Sequence, residues 1–375
     1  MRIILSGGGT GGHIYPAIAI GQALKKEWPQ AEILYLGTEK GLERQIIPQT
    51  GFAFRTIEIM GWQRKVSLQM IKAGLKVFKG LRQASRIMKE FSPDLVIGTG
   101  GYVCLPVVWA ASRRKIPTIL HEQNALPGIT NKFLSRKVDY LLITFPEAAA
   151  HFPAAVQARI RVTGLPIRPR ILAVSREEAL NFFGLAGDKP VLLVSGGSRG
   201  ARSLNSAMIV VYKRAKELNF PFSIIHLTGQ EGLAEVQREL AQAGLEEEDY
   251  VNIIIKPYLH EMEYALACAD LCIGRAGATF LAEITAKGLP GILVPYPYAT
   301  ENHQEYNARS LEKRGAAKVI LDKDLRDKES LLAEQLMEII TDKEKLREMA
   351  SCSLQAGKPD AVEKILKVVR KVINQ

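Results

Sequence analysis

The sequence predicts an α/β protein of two similar domains, each built on a doubly wound parallel sheet, and three observations predict it. Short β-branched or leucine-rich runs alternate with helix-length segments, which is the rhythm of strands buried on both faces of a parallel sheet. Several of these runs end in glycine-rich turns. The two halves also open on one plan. Ile3-Ile4-Leu5-Ser6-Gly7-Gly8-Gly9-Thr10-Gly11-Gly12 and Val191-Leu192-Leu193-Val194-Ser195-Gly196-Gly197-Ser198-Arg199-Gly200 both run from an apolar strand through Ser-Gly-Gly into a turn that opens a helix.

Strands are expected at Ile3–Ser6, Ile33–Leu36, Leu95–Gly98, Thr118–Leu120 and Leu141–Ile143, then at Val191–Ser195, Ser223–Leu227, Val251–Ile255, Leu271–Gly274 and Gly291–Pro295. Each is a short apolar run bounded by turn residues. Between the halves, Thr163-Gly164-Leu165-Pro166-Ile167-Arg168-Pro169 is non-periodic, and its prolines can continue neither a helix nor a central strand. It reads as an interdomain linker, with domains over 1–164 and 165–355 facing a cleft. In Ala361–Ile373, Val362, Ile365, Val369 and Val372 recur at helical spacing, so residues 356–375 are expected to supply a helix that packs back on the first domain.

Of 375 residues, 47% are apolar and 24% charged, which excludes a disordered, collagenous or disulfide-framework chain. Cys104, Cys268, Cys272 and Cys352 show no CxxC spacing and no Cys/His cluster, so no zinc site is expected and a reducing compartment fits. Ile3-Ile4-Leu5 runs straight into glycine, and no apolar run reaches the roughly 18 residues that span a bilayer. The expectation is a protein neither secreted nor integral to a membrane. Lys and Arg number 50 against 39 Asp and Glu, a net +11, which points to an anionic partner: nucleic acid, phosphorylated ligand or acidic lipid.

In Gly7 through Gly12 bare N–H groups and a helix N-terminus converge where an oxyanion could sit. The run satisfies GxGxxG through Gly7, Gly9 and Gly12, but His13 stands where a Walker lysine is needed, and Glu39 is only a loose candidate for a dinucleotide ribose acid. Tight strand-to-helix packing without a ligand is the alternative. Gly98-Thr99-Gly100-Gly101-Tyr102 and Ser195 through Gly200 repeat the pattern, and three such turns at strand C-terminal ends point to a phosphate-rich cleft. His13 could take a proton from an incoming hydroxyl, or could be structural.

His121-Glu122-Gln123-Asn124 sets four polar side chains at a strand end, where they line a site or cap the next segment. Gly274-Arg275-Ala276-Gly277-Ala278-Thr279 opens another helix with Glu283 in its first turns, a carboxylate able to cap the helix or accept both hydroxyls of a ribose. Gln304 and Asn307 share a helix face suited to sugar hydroxyls, or to solvent. The excess charge lies between Gly61 and Lys89, where Arg64, Lys65, Lys72, Lys76, Lys79, Arg82, Arg86 and Lys89 meet no acid until Glu90. Ile71, Leu75, Phe78 and Ile87 recur there at helical spacing beside Trp62. This is the pattern of a basic amphipathic helix on anionic lipid, or of an ordinary solvated face. Nucleic acid is not expected, because the stripe lacks stacking aromatics and a reader motif. Asp322-Lys323-Asp324 is the only D-x-D and lies in a lysine-rich stretch, so it is not expected to hold a divalent ion.

As a set, Gly8-Gly9-Thr10-Gly11-Gly12-His13 with Pro16, Gly100-Gly101-Tyr102, His121-Glu122-Gln123-Asn124, Gly196-Gly197-Ser198-Arg199-Gly200-Ala201, and Ala276-Gly277-Ala278 with Glu283 and His303-Gln304 closely resemble the MurG family of bacterial peptidoglycan glycosyltransferases, family 28. The match keeps its order over nearly the whole chain. The resemblance implies a GT-B fold of two Rossmann-like domains. It implies inverting transfer of N-acetylglucosamine from UDP-GlcNAc to the C4 hydroxyl of the muramic acid in lipid I, forming lipid II, with no cofactor or metal required. It also implies peripheral attachment to the cytoplasmic face of the cell membrane, with cell-wall synthesis and division proteins as candidate partners.

Carried over residue by residue, His13 matches the proposed general base. Thr10, Gly11, Gly12 and Asn124 match first-domain contacts to the donor sugar. Arg168, Ser198, Leu259 and Arg275 match donor positions, with Ser198 near the diphosphate and the backbone of Leu259 near uracil. Ala278, Thr279, Phe280, Leu281, Ala282 and Glu283 match the helix opening whose glutamate binds ribose, and Gln304 a sugar-hydroxyl contact. Gly9, Gly100, Gly101, Tyr102 and Glu122 are assigned to the acceptor and its diphosphate, and Trp62, Lys72, Lys76 and Lys79 to the membrane. The chain departs from the family at Cys104-Leu105-Pro106, Leu165, Arg199 and Thr279-Phe280-Leu281, which bear on acceptor and hinge contacts. Two rivals are a UDP-sugar 2-epimerase or other GT-B enzyme with the same donor cleft, and a non-catalytic nucleotide-sugar or anionic-lipid binding protein. A nicotinamide oxidoreductase is more distant.

Overall fold

The computed structural model describes residues 1–60, 68–245 and 252–374, with the backbone alone over 68–75. The chain divides into two compact units, Met1–Ile167 with Pro359–Gln375, and Arg168–Lys358. Residues 163–168 carry no regular structure, and Pro169 occupies the first turn of the helix Pro169–Ala173, where its missing N–H costs nothing.

Unit one is a seven-stranded sheet of β1 (Arg2–Ser6), β2 (Glu32–Gly37), β3 (Ala53–Thr56), β4 (Leu95–Gly98), β5 (Thr118–Glu122), β6 (Tyr140–Ile143) and β7 (Ile160–Val162), in the order β3-β2-β1-β4-β5-β6-β7. Every pairing is parallel; in the centre Ile4 stands between Leu34 and Val96. The apolar run of β1 is unbroken because both faces are covered. Ile3 and Leu5 pack with Ile14, Ala17 and Leu24 of the helix Gly11–Glu27, and Ile4 packs on the opposite face with Val107 and Ala111. Ile365, Val369 and Val372 of the terminal helix Ala361–Ile373 join the first cluster, and Arg370 pairs with Glu27 at 2.6 Å.

Unit two has six parallel strands, β8 (Val191–Ser195), β9 (Ser223–Leu227), β10 (Ile253–Lys256), β11 (Leu271–Gly274), β12 (Gly291–Leu293) and β13 (Ala317–Val319), in the order β10-β9-β8-β11-β12-β13. β12 stops short of the expected Pro295. Val294 N still donates to Gly274 O, but proline has no N–H with which to continue the ladder. The expected start of β10, Val251, lies outside the described residues. The three unanticipated strands, β3, β7 and β13, are short edge strands whose alternating or mixed burial leaves no apolar run to read. In both sheets strand order reverses beside the first strand, at β1/β4 and β8/β11, which is where open α/β sheets bind ligands.

From Leu68 the basic segment is one helix, Leu68–Phe91, whose apolar positions divide between the core and solvent. Gly80, Ala84, Ile87 and Met88 are buried, whereas Phe78 is 63% exposed on the same side as Lys79 and Arg82. Position 78 is two residues from Gly80 and so points away from it on a helix. Trp62 lies outside the described residues, as do the side chains of Ile71, Lys72 and Leu75. Lys79 pairs with Glu58 at 2.7 Å, and Lys76 reaches Met60 Sδ at 2.9 Å. Among the described residues no helix is long and apolar enough to cross a membrane.

Candidate active site

In unit one the turns after β1 and β4 are pressed together. A side chain on Gly101, at φ +78°, would reach Gly8 O at 2.0 Å, and one on Gly7 would meet Thr99 Oγ1 at 2.1 Å. Only glycine allows this approach. Thr10 is extended, and the helix begins at Gly11, with Gly9, Thr10 and Gly12 exposed on the rim. Tyr102 lies over Gly9. Cys104 draws the second turn inward: its thiol accepts from Gly100 N at 3.1 Å and donates to Ser6 O at 2.8 Å, while burial pushes it up to about 12.

His13 sits half-buried in the first helical turn, beside Gly100. Its Nδ1 lies 3.0 Å from Thr99 O and 3.1 Å from Gln123 Oε1, and Thr99 Oγ1 donates to the His13 carbonyl at 2.7 Å. Burial holds the imidazole below its ordinary pKa, partly opposed by Gln123 and Thr99, so the ring is neutral near pH 7. Nε2 has no hydrogen-bond partner among the described residues.

The polar run 121–124 divides. His121, Glu122 and Gln123 are buried and Asn124 half-buried. Glu122, expected at the acceptor diphosphate, is 1% exposed and turned into the fold: its carboxylate accepts from Asn124 N at 2.9 Å, Gly128 N at 3.2 Å and Asn131 Nδ2 at 2.8 Å. Burial raises its pKa against those bonds. It therefore shapes the loop 124–131 and presents no oxygen to a ligand. Asn131, which has no motif around it, lies with Nδ2 beside Gly100, and its Oδ1 is buried without a protein partner.

In unit two the turn after β8 stands open. Gly197, Ser198 and Arg199 are exposed, while Gly200, at φ +77°, is wedged against the loop after β9, where a side chain would meet Thr228 O at 2.1 Å. The turn borders a cleft of about 1210 Å³ that Ser198, Arg199, Phe280, Tyr296 and Gln304 help to line. Gln304 Oε1 accepts from Tyr296 N at 2.9 Å. Asn307, expected beside it, is instead fully buried and donates to Ala276 O at 3.2 Å, because that helix face packs on the turn after β11.

Arg275 also lines the cleft, but its guanidinium is committed to the fold. Nη1 donates to Val294 O and Pro295 O at 3.1 and 3.2 Å and pairs with Asp322 at 2.6 Å; Nη2 donates to Ser203 Oγ at 3.1 Å. It braces the end of β12 and the start of the helix Arg202–Glu217. Asp322, half of the D-x-D pair, is thus an ion-pair partner. Among the described residues no group of three or more His, Cys, Asp and Glu side chains could hold a metal.

Gly277 caps the helix Ala278–Ala286 from an extended conformation; Ala278 and Leu281 are buried, and Thr279, Phe280 and Ala282 half-buried. Glu283 is 7% exposed, and burial, with Glu263 nearby, lifts its pKa to about 6 against the pull of Arg168. Arg168 Nε lies 3.5 Å from Glu283, Arg168 Nη1 3.8 Å from Glu263, and Arg170 Nε 3.3 Å from Glu263. Glu263, unanticipated from sequence, therefore completes a four-membered charge cluster. Leu259 is buried after β10.

A model described as the glycosyltransferase family 28 N-terminal domain matches residues 3–143, and one described as the family 28 C-terminal domain matches residues 191–365. The chain is 49% identical over 373 residues, all of its own length and 99% of the other's, to a Desulforamulus reducens protein named UDP-N-acetylglucosamine--N-acetylmuramyl-(pentapeptide) pyrophosphoryl-undecaprenol N-acetylglucosamine transferase. It is 51% identical over 368 residues to a protein of the same name from Desulfitobacterium hafniense strain DSM 10664, covering 98% of both chains. The crystal structure of Acinetobacter baumannii MurG is similar at TM-score 0.80, with 30% identity over 99% of both chains.

Proposed function

The chain belongs to glycosyltransferase family 28, with the GT-B-like fold of two helix-flanked parallel sheets, and we propose that it transfers N-acetylglucosamine from UDP-GlcNAc to lipid I, forming lipid II. His13 carries the chemical reading: a neutral imidazole at a double glycine turn, with Nε2 open, is the proton acceptor that a weakly acidic sugar hydroxyl needs. The C4 hydroxyl of the muramyl residue gives its proton to Nε2 as its oxygen attacks the anomeric carbon. The anomeric C–O bond breaks with inversion, and its electron pair leaves with UDP.

On this reading unit one serves chiefly the acceptor, with Thr10, Gly11, Gly12 and Asn124 reaching the donor sugar. The rim of Gly9, Gly101 and Tyr102 takes the diphosphate on backbone N–H groups; Gly100, expected among them, is buried with its N–H given to the Cys104 thiol, and so shapes the turn instead. Asn131 serves this half indirectly, its Nδ2 holding the His121 carbonyl and the Glu122 carboxylate. Unit two serves the donor. Ser198 and the N-terminus of the helix Arg202–Glu217 stabilise charge that grows on the leaving diphosphate, with Arg199 as a nearby cation. The Glu283 carboxylate accepts from the ribose diol, Arg168 steadies it, the Leu259 backbone meets uracil, and Gln304 meets a sugar hydroxyl. Arg275 acts by bracing the cleft wall.

The exposed Phe78, flanked by Lys76 and Lys79, supports peripheral attachment to an anionic membrane face. Phe133, exposed and packed on Trp109 at 5.1 Å, adds apolar surface in the same unit.

The test is UDP release from UDP-GlcNAc with and without a soluble lipid I analogue, in EDTA, with the product followed by mass. Acceptor-dependent release with a disaccharide product is expected. UDP-ManNAc formed without acceptor would identify an epimerase, and donor binding without release under any acceptor a binding protein.

A further inference from the structure

The His13 ring is held by a chain of hydrogen bonds running back through β5 to Gly164 near the end of unit one. Backbone carbonyls, which only accept, set the proton along it. Gly164 O lies 2.9 Å from His121 Nε2, so that nitrogen carries the proton and His121 Nδ1 accepts. Gln123 Nε2 lies 3.1 Å from His121 Nδ1 and 3.0 Å from the His121 carbonyl, which orients the amide with its NH2 toward His121 and its oxygen toward His13. Gln123 Oε1 and Thr99 O then share the proton on His13 Nδ1. The lone pair of the neutral ring is thereby on Nε2. His121 and Gln123 are 0% and 1% exposed, so solvent does not compete for these bonds.

We propose that Gln123, itself oriented by His121, is a positioning residue that acts with the Thr99 carbonyl to hold His13 in its Nδ1–H tautomer and so makes Nε2 the atom that takes the acceptor's proton. The inference rests on the reading of His13 as the base. Without the Gln123 amide, Thr99 O alone holds the ring, and His121 Nδ1 becomes a buried acceptor lacking its donor. A carboxylate in place of the amide would instead favour the imidazolium. The influences on His13 are burial, Gln123 and Thr99, with no charged side chain among them. The titratable groups around the same turns are already partnered. Glu122 is bonded to its loop, Glu43 through Oε1 to Thr38 with Oε2 buried and unbonded, Cys104 to Ser6, Tyr35 to Gly7 O, and Tyr102 covers Gly9.

The experiment uses the full chain with 15N-labelled histidine. The ring nitrogens of His13, assigned from the spectrum of His13→Ala, are followed against pH beside kcat and KM for wild type, Gln123→Met and Gln123→Glu. Wild type is expected to show the Nδ1–H signature. Gln123→Met should mix the tautomers and lower kcat about tenfold, with KM for UDP-GlcNAc within about twofold. Gln123→Glu should move both the ring titration and the acidic limb of kcat upward by about one pH unit. UDP-GlcNAc binding checks folding, and the near-isosteric Glu variant decides should the Met variant not fold. Ring signals unchanged in the folded variants overturn the proposal while His13 stands as base. Ring signals that move over an unmoved rate profile overturn the base reading instead.

Discussion

In unit one residues 7–10 carry the chain from β1 into its helix, and in unit two residues 196–201 do so from β8. The shorter turn is clamped by the neighbouring loop after β4: Gly7 and Gly8 are buried, and Gly101 lies against Gly8 O. That contact closes the β1/β4 crevice around a desolvated His13. The longer turn leans the other way, with Gly200 against the loop after β9, so the β8/β11 crevice stays open and Ser198 and Arg199 face solvent. One strand-turn-helix plan thus yields a desolvated histidine where the facing loop fills the crevice and an exposed turn where it does not; on the proposed reading these serve as the proton acceptor and the donor's anion cradle. The neighbouring loop decides the chemistry, and the motif supplies only the opportunity.

The comparison breaks most sharply at His13. His13→Ala should lower kcat by about 10²–10⁴-fold while UDP-GlcNAc affinity by calorimetry stays within about twofold, since only unit one loses a group. A comparable loss of affinity would mean the two turns do not divide the work. Next in size is Arg275→Ala, which strands Asp322 in a site where the two side chains are 12% and 9% exposed. Chemical denaturation should report a loss of about 3–5 kcal/mol, much larger than that of any exposed pair in unit two.

Gly101→Ala and Gly200→Ala form a matched pair, each forcing a side chain onto a carbonyl at positive φ and costing about 1–3 kcal/mol. Gly101→Ala should depress acceptor turnover and spare donor binding; Gly200→Ala should do the reverse. Identical profiles would erase the distinction between the turns. Glu283→Gln should weaken UDP-GlcNAc by about tenfold, the scale of a hydrogen bond to a charged acceptor. Because burial lifts Glu283 to about 6, wild-type affinity should fall as pH drops through 6, and the Gln variant should stay flat. The unliganded protein carries the opposite sign. A raised folded pKa makes this group's contribution to stability fully present below its unfolded value near 4.5 and lost as pH rises through about 6. The smallest effect concerns the membrane. Lys76→Gln should reduce low-salt binding to anionic vesicles by about 1 kcal/mol, and Lys79→Gln by less, because Glu58 already offsets that charge. Equal losses would show that the Glu58 pair does not persist at the lipid surface.

Much of this was legible beforehand. Leu95–Gly98, Val191–Ser195, Ser223–Leu227 and Leu271–Gly274 stand where the apolar runs put them, because a strand covered on both faces has no polar alternation to blur its ends. The edge strands β3 and β7 were silent because Arg55 and Arg161 interrupt them with side chains an edge can leave in solvent. Glycine turns marked the sites, since close backbone approach leaves glycine no substitute. Polar side chains were harder to place. Glu122, Asn307 and Arg275 carry the chemistry of ligand contacts, yet each is bound into the fold, while Glu263, Asn131 and Thr99 have no motif and matter through what they touch.

The sequence by itself therefore determined most of the strands, though not the edge strands β3, β7 and β13, together with the three glycine turns and the histidine beside the first, because apolar periodicity and the need for a bare backbone are local properties. Only the tertiary structure decided which polar groups are bound into the fold, that His13 is neutral with Nε2 open, and that Glu283 is lifted to about 6. Those properties depend on desolvation and on hydrogen bonds between residues 86 to 110 positions apart, as from His13 to Thr99 and Gln123, and no local pattern encodes them.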